Sequence, residues 1–369
     1  MGIEWILYLY GAVCLSMIVF NVVYALLLRG SEPRLERRAQ KLQEAANRQL
    51  KRLQRGEPVD GRYLQDLQRK LCRIKNLMAY ERALRALQSD TPWFCAYITQ
   101  LQPCFLYLAF IYKKHDHIQA AFFSYFLSCH MEKKHMPIQT IQEILLDYAA
   151  RDNLYCRVNA LRALYAFGSP AHIVAALKLQ DQGSVFLHEK ILTEGLLTFT
   201  GDHARLIALL WEEMPSFSPH TQLAILNYIR FQTGDYANEM FSLMQDPEKD
   251  KELRLAAIRY FGRYQYPPAL EPLLAFTENS DPLQWEYATV SASALARYPG
   301  PRVIGALKKA LRSSNWYVRY AAAASLEALH IDDTDLIEIV TGSDRYAREM
   351  MAYRLESRRM QKAQVTNRS

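Results

Sequence analysis

YAFGSPAHI (165–173), TFTGDHARL (198–206), FQTGDYANE (231–239), YQYPPALEP (264–272), RYPGPRVIG (297–305) and HIDDTDLIE (330–338) can be laid one beneath another. Their matched positions, Ala171, Ala204, Ala237, Ala269, Arg302 and Asp335, are separated by 33, 33, 32, 33 and 33 residues. A period this regular is the mark of a repeat array. Each turn lies between two apolar stretches of helical period, such as LYCRVNALRALYAF and HIVAALKLQ, or WYVRYAAAASLEAL and DLIEIV. Each unit is therefore expected to be a helical hairpin joined across the quoted turn. One hairpin cannot bury its apolar face alone, whereas stacked neighbours share a continuous core.

Outside the array, Trp5 to Leu28 is an uncharged run of 24 residues, WILYLYGAVCLSMIVFNVVYALLL, with 13 Leu, Ile, Val or Phe. As a helix it would rise about 36 Å, against roughly 30 Å of hydrocarbon. Trp5, Tyr8 and Tyr10 suit an interfacial belt. A signal peptide would carry a basic start and a shorter apolar core, and Ile6 breaks the myristoylation pattern. The expectation is a single transmembrane anchor over residues 1–30. Arg29, Arg34, Arg37, Arg38 and Lys41 follow at once, which places the C-terminal side in the cytoplasm and the chain in the cell membrane.

Charge is spread unevenly. Residues 29–75 carry a net +8, residues 345–369 a net +5, and residues 76–344 a net −5 within a total of +7. The body is mildly acidic, which argues against a nucleic-acid stripe along it. Half of the chain is hydrophobic and 22% is charged, so disorder is excluded and a large core is possible. Six scattered Cys without a CxxC match reduced, packed thiols. Residues 31–56 are polar and helix-rich. They read as a solvated juxtamembrane helix or stalk, or as a basic segment held on anionic lipid headgroups, ended by Gly56-Glu57-Pro58. Residues 57–140 are helical but out of register, and are read as the cap of the array. Within them PWFCAYITQLQPCFLYLAFIY (92–112) has Gln100, Gln102 and Pro103 at its centre. That favours a broken, buried helix pair over a second span.

The repeats at about 140–342 resemble HEAT repeats, especially the short HEAT-like type of bilin-lyase subunits and bacterial adaptors. That family's second helix carries Asp, then Val-Arg, then Ala and Ala-Leu. Asn315, Val318-Arg319, Ala322 and Ser325-Leu326 follow the pattern with Asn for Asp. Asp152, Arg157-Val158, Ala160 and Ala163-Leu164 follow it with Val and Arg exchanged, and Leu253-Arg254, Ala257 and Ile258 follow in part. The resemblance implies an all-α fold, a right-handed α-solenoid of HEAT-like helical hairpins, and the apolar run at 5–28 is expected to precede it as a single transmembrane helix. It also implies an inter-repeat ladder through Arg157, Arg254 and Arg319.

No phosphate loop, dinucleotide fingerprint or GxSxG elbow occurs, and His188-Glu189 lacks a second zinc ligand because position 192 is Leu192. His115, His117, Cys129, His130 and His135 cluster in sequence without standard zinc spacing, so polar loops between cap helices are the favoured reading. Arg259, Arg263, Tyr264 and Tyr266 form an Arg/Tyr segment of the kind that anchors partners, set against a helix end packed on the next repeat. Trp285, Tyr298, Trp316 and Tyr317 are read as inter-repeat core.

The organisation expected is anchor 1–30, stalk 31–56, cap 57–140, HEAT-like repeats 141–344 and a basic tail 345–369. The function expected is a membrane-anchored scaffold or adaptor, not an enzyme, with no cofactor and no metal. Its expected partner is a protein, membrane proteins included, with anionic lipid headgroups at the basic segment and no nucleic acid. The alternatives are an accessory subunit of a membrane enzyme such as a glycosyltransferase, or a lyase-type HEAT-like enzyme subunit, the latter by family analogy alone.

Overall fold

A computed structural model describes residues 3–87, 91–131, 139–183, 186–331 and 336–366, with side chains for all of these but 3, 4, 6, 7, 24–31 and 357–366. Among the described residues the chain is helix and turn, with no strand. In chain order the helices are α1 (Ile3–Gln54), α2 (Gly61–Leu71), α3 (Ile74–Arg85), α4 (Pro92–Gln100), α5 (Gln102–Lys113), α6 (His117–His130) and α7 (Gln139–Ala149). They continue with α8 (Leu154–Phe167), α9 (Pro170–Asp181), α10 (Glu189–Leu197), α11 (His203–Glu212), α12 (Pro219–Gln232) and α13 (Ala237–Gln245). The last are α14 (Lys251–Phe261), α15 (Leu270–Glu278), α16 (Trp285–Ala294), α17 (Pro301–Ala310), α18 (Trp316–Ala328), α19 (Ile337–Val340) and α20 (Arg345–Thr366).

Local chemistry sets where these helices begin. Asp60, Thr91, Asp116, Asn153, Ser169, Ser218, Asp250 and Asn315 each accept a backbone N–H of the first helical turn. Such caps contribute about 1 kcal/mol apiece. Pro92, Pro170, Pro219 and Pro301 open their helices, where a missing N–H costs nothing.

The chain divides into two compact units, residues 1–186 with 198–209, and residues 187–197 with 210–369. In the first, α3, α6 and α8 pack in one row, and α5, α7 and α9 in another. α1 lies on α3 and α4. Two expectations change here. α1 does not stop after the apolar run but continues to Gln54, and its second half is not a solvated stalk. Ala39, Ala46 and Leu53 are buried. The small alanines let α1 sit close on α3. Pro33 lies inside this helix. A proline there forfeits an i→i−4 bond, but Arg82 of α3 donates to Glu32 at 2.7 Å and to Glu36 at 3.0 Å, gripping the turn on both sides of it.

α4 and α5 are bent by 50° at the break between them. Tyr97, Ile98, Leu101, Phe105, Leu108 and Tyr112 are fully buried. Tyr97 accepts or donates to Tyr63 at 2.5 Å and to Tyr80 at 2.7 Å, a chain of phenols that satisfies itself inside the core. Among the described residues no single helix is long and apolar enough to cross a membrane, and Tyr8–Val23 is a shorter apolar helical stretch.

In the second unit α10, α12, α14, α16, α18 and α20 stack in sequence. α13 packs on α14, α15 on α16, α17 on α18 and α19 on α20. The closely packed pair of each repeat is thus joined by the other loop, and the quoted turns 231–239, 264–272 and 297–305 connect one pair to the next. The period is unaffected, but the pairing is shifted by half a repeat, because periodicity gives spacing and not phase. Rungs tie neighbours together: Thr193 donates to the Ala224 carbonyl at 3.1 Å and Ser325 to the Ala292 carbonyl at 2.7 Å. Tyr228, Tyr260 and Phe261 are fully buried between layers, each worth roughly 1.5–3 kcal/mol of apolar burial. The stacked pairs are compatible with an α-solenoid.

Candidate anion-binding cleft

Arg259 in the last turn of α14 and Arg263 in the turn just beyond it lie four residues apart. α12 lies alongside, and its C-terminal turn brings Arg230 and Phe231 to the same place. α16 closes the third side with Val290, Ser293 and Ala294. The result is a cleft of about 350 Å³ with Gly262 on its floor. A Cβ at Gly262 would stand 3.2 Å from the Ala294 Cα, a tight contact that glycine avoids.

The ring of Phe231 organises two of the guanidiniums. Arg230 Cζ lies 4.8 Å from its centroid and Arg263 Cζ 5.4 Å. Each such contact contributes about 0.5–1 kcal/mol and holds the side chain in place. Arg263 Nη2 also donates to the Phe231 carbonyl at 3.5 Å. Burial, together with Arg259 and Arg263, pushes the Arg230 guanidinium below its ordinary pKa. No carboxylate lines the cleft. Among the described residues none of these three arginines has an acidic partner. Arg82, Arg302, Arg319, Arg345 and Arg354, by contrast, all do.

The two tyrosines of the sequence motif turn elsewhere. Tyr264 packs on Tyr260 at 4.9 Å and over Gly234, where a Cβ would meet its ring at 2.8 Å. Tyr266 donates from its hydroxyl to Asn238 at 2.6 Å and lies against Phe261 and Phe241. Its backbone N–H donates to the Tyr298 hydroxyl at 3.1 Å. Of the four residues, the structure brings Arg259 and Arg263 to the cleft and sets Tyr264 and Tyr266 in packing. Arg230 and Phe231 complete the cleft.

Arg157, Arg254 and Arg319 sit inside the array with a common habit. Arg157 is buried, donating from Nε to the Arg151 carbonyl at 2.6 Å and from Nη1 to Gln180 at 3.3 Å. Arg254 Nε donates to the Met244 carbonyl at 3.1 Å, and its guanidinium lies 5.0 Å over Tyr287. Arg319 Nε donates to the Ser313 carbonyl, and Nη1 to both oxygens of Asp344. Each reaches back to a carbonyl at or beyond the end of the preceding helix, where orphan acceptors and the negative end of the dipole favour a cation. Each also reaches forward to a later helix or its cap. Arg348 does the first of these, donating to the Gly342 carbonyl at 2.8 Å. The sequence signal is an Asn or Asp four residues before the Arg, at 153/157, 250/254, 315/319 and 344/348.

A second cavity, of about 600 Å³, is lined by Trp316, Tyr320, Tyr346, Tyr353, Arg319 and Arg354. Trp316 and Tyr317 are 57% and 55% exposed, so they do not fill the inter-repeat core as expected. They are the first two residues of α18, and stack on Tyr320 and Trp285 instead. Tyr298 is buried as expected. The arginines of this cavity are neutralised by Asp344 and Glu327, unlike those of the first cleft.

The histidines do not gather. His115 bonds Gln119 at 2.8 Å, and His117 and His130 lie at opposite ends of α6, about 20 Å apart at 1.5 Å per residue. His130 is buried with its Nε2 unpartnered, and burial and then Arg85 push its pKa down to about 4. His135 lies outside the described residues. Among those described, no three His, Cys, Asp or Glu side chains come together as a metal set. Glu189 does meet His188 at 3.2 Å and His220 at 3.5 Å, a contact the sequence motif did not show. Trp5 is exposed on α1; the helix backbone runs through Leu28 and Arg29, whose side chains lie outside those described.

No protein-family model matches the chain, and no curated protein is significantly similar to it in sequence.

Proposed function

We propose that the chain is a single-pass, cytosol-facing scaffold of HEAT-like solenoid type that recruits a protein partner to the cell membrane. The observation that carries the binding role is the cleft of Arg230, Arg259 and Arg263, three positive side chains held together with no acid between them. Keeping like charges together opposes folding, and the arrangement makes sense where an anionic group from outside completes it. The anchor is supported by α1. Trp5, Tyr8, Leu9, Tyr10, Val13, Leu15, Met17, Ile18, Val19, Phe20, Val22 and Val23 are all at least half exposed, on every face of the helix. An apolar surface of that extent needs a cover, and lipid is the one its length and flanking arginines fit.

Affinity purification from detergent-solubilised native membranes tests the reading. The wild-type chain is expected to retain a protein that the double variant Arg259→Ala/Arg263→Ala releases, with helicity unchanged. Truncating interface anchors of this kind costs roughly 2–4 kcal/mol, about 30- to 1,000-fold in affinity. Equal recovery with both proteins removes the cleft as the binding surface.

A further inference from the structure

The cleft between α12, α14 and α16 has a charge and shape more specific than a general acidic surface would require. We infer that it holds a phosphate monoester carried on a side chain of the partner protein, an inference that rests on the partner-binding reading of the same cleft.

Charge count is the first argument. A carboxylate carries one charge and engages one arginine bidentately, which would leave two guanidiniums here unsatisfied. A phosphate monoester carries about −1.5 to −2 near neutral pH and presents three terminal oxygens, one for each of Arg230, Arg259 and Arg263. Geometry is the second. Gly262, Ser293 and Ala294 are small, so a tetrahedral group can descend to the guanidiniums. Phe231 and its carbonyl hold Arg230 and Arg263 before any ligand arrives, which lowers the ordering cost of binding.

The surroundings select the carrier. Phe231 is the one large apolar side chain of the cleft, and its ring serves two guanidiniums, so the rim offers nothing to insert into a bilayer. A nucleic acid needs a basic track, whereas residues 76–344 carry a net −5. A phosphorylated side chain on a protein is a point anion and needs no such track.

The test uses the full-length chain in neutral phosphatidylcholine nanodiscs. Peptide libraries centred on phosphoserine, phosphothreonine or phosphotyrosine are compared with the same libraries unphosphorylated and with glutamate at the central position. Retention of a phosphorylated library at least about tenfold above both controls is expected, in line with the loss of charge-assisted hydrogen bonds. The single variants Arg230→Gln and Arg263→Gln should each abolish that preference, Arg263→Lys should weaken it, and Arg302→Gln, outside the cleft, should leave it unchanged. Inorganic phosphate should compete with the phosphorylated peptides. Circular dichroism on every variant separates misfolding from lost binding, and Arg263, being exposed, is the variant expected to keep its fold.

Equal retention of phosphorylated and glutamate libraries would overturn the inference. So would binding of inorganic phosphate without any peptide preference, or arginine-dependent binding to phosphatidylcholine vesicles containing phosphatidic acid with none to peptides. Partner capture that needs Arg259 and Arg263 but survives phosphatase treatment would keep the binding role and remove the phosphate. Capture indifferent to the arginines would remove both.

Discussion

Arg319 Nη1 stands 2.9 and 3.0 Å from the two carboxylate oxygens of Asp344, while its Nε donates to the Ser313 carbonyl. One side chain thus closes the end of α17 and fixes the start of α20, whose N–H groups at Tyr346 and Ala347 are accepted by the same Asp344. Arg319, and then the Ala347 N–H, hold the Asp344 carboxyl below its usual pKa. Replacing Arg319 by Ala should cost about 2–3 kcal/mol, since it strands a partly buried acid and a carbonyl together. Asp344→Asn, which keeps a capping oxygen, should cost about 1 kcal/mol. Thermal unfolding of the two variants checks the order, and equal losses would deny Arg319 its double role.

His130 makes folding sensitive to mild acid. Its folded pKa of about 4 lies below the ordinary 6.5 because burial and Arg85 disfavour the imidazolium. Between those values the unfolded chain binds a proton that the folded chain refuses, so stability is complete above about pH 6.5 and falls as the pH drops toward 4. By pH 5 the loss should reach about 2 kcal/mol. A His130→Phe variant should lose less stability than wild type between pH 7 and pH 5. Parallel melting curves for the two proteins would show His130 titrating freely.

Tyr97 links Tyr63 and Tyr80 through their hydroxyls. Tyr97→Phe leaves the hydroxyl of the fully buried Tyr80 without its bond, and should cost about 1–3 kcal/mol. Tyr63→Phe removes only the outer member of the chain and should cost less. Denaturant midpoints for the two variants decide it, and the reverse order would sink the account.

The proposed anchor gives a fractionation result. Full-length protein should stay with membranes through alkaline carbonate washing, and residues 32–369 should be soluble and helical. The cut belongs near residue 32, not at 57, because Ala39, Ala46 and Leu53 are part of the core. Release of the full-length chain by carbonate would argue against a bilayer span.

The period and the helical class were readable because every repeat must bury the same positions, and burial writes itself into spacing. Phase was not, since a helix of period 33 looks alike paired with the helix before it or after it. The juxtamembrane half of α1 misled by its composition. Its buried face is made of alanines, which carry little hydropathy. In the cleft, Arg259 and Arg263 stood out as an i, i+4 pair. Arg230 did not, because it joins them through the stacking of α12 on α14. Its signature was present all the same: Ile229-Arg230-Phe231 and Ile258-Arg259-Tyr260 both read Ile-Arg-aromatic, 29 residues apart. Tyr264 and Tyr266 were credited with a surface role for being aromatic beside arginine, and only the turn geometry that folds them against Tyr260 and Phe261 says otherwise.

α1 is 52 residues without interruption, about 78 Å of rise, and Arg82 clasps it at Glu32 and Glu36. With residues 5–28 in a bilayer as proposed, the first unit is stepped onto the membrane like a hull onto its mast. A flexible tether would let it drift to any bearing. Here a change in the lean or rotation of the embedded end turns the whole packed unit with it, so bilayer thickness and the grip of neighbouring spans become mechanical inputs to the body outside.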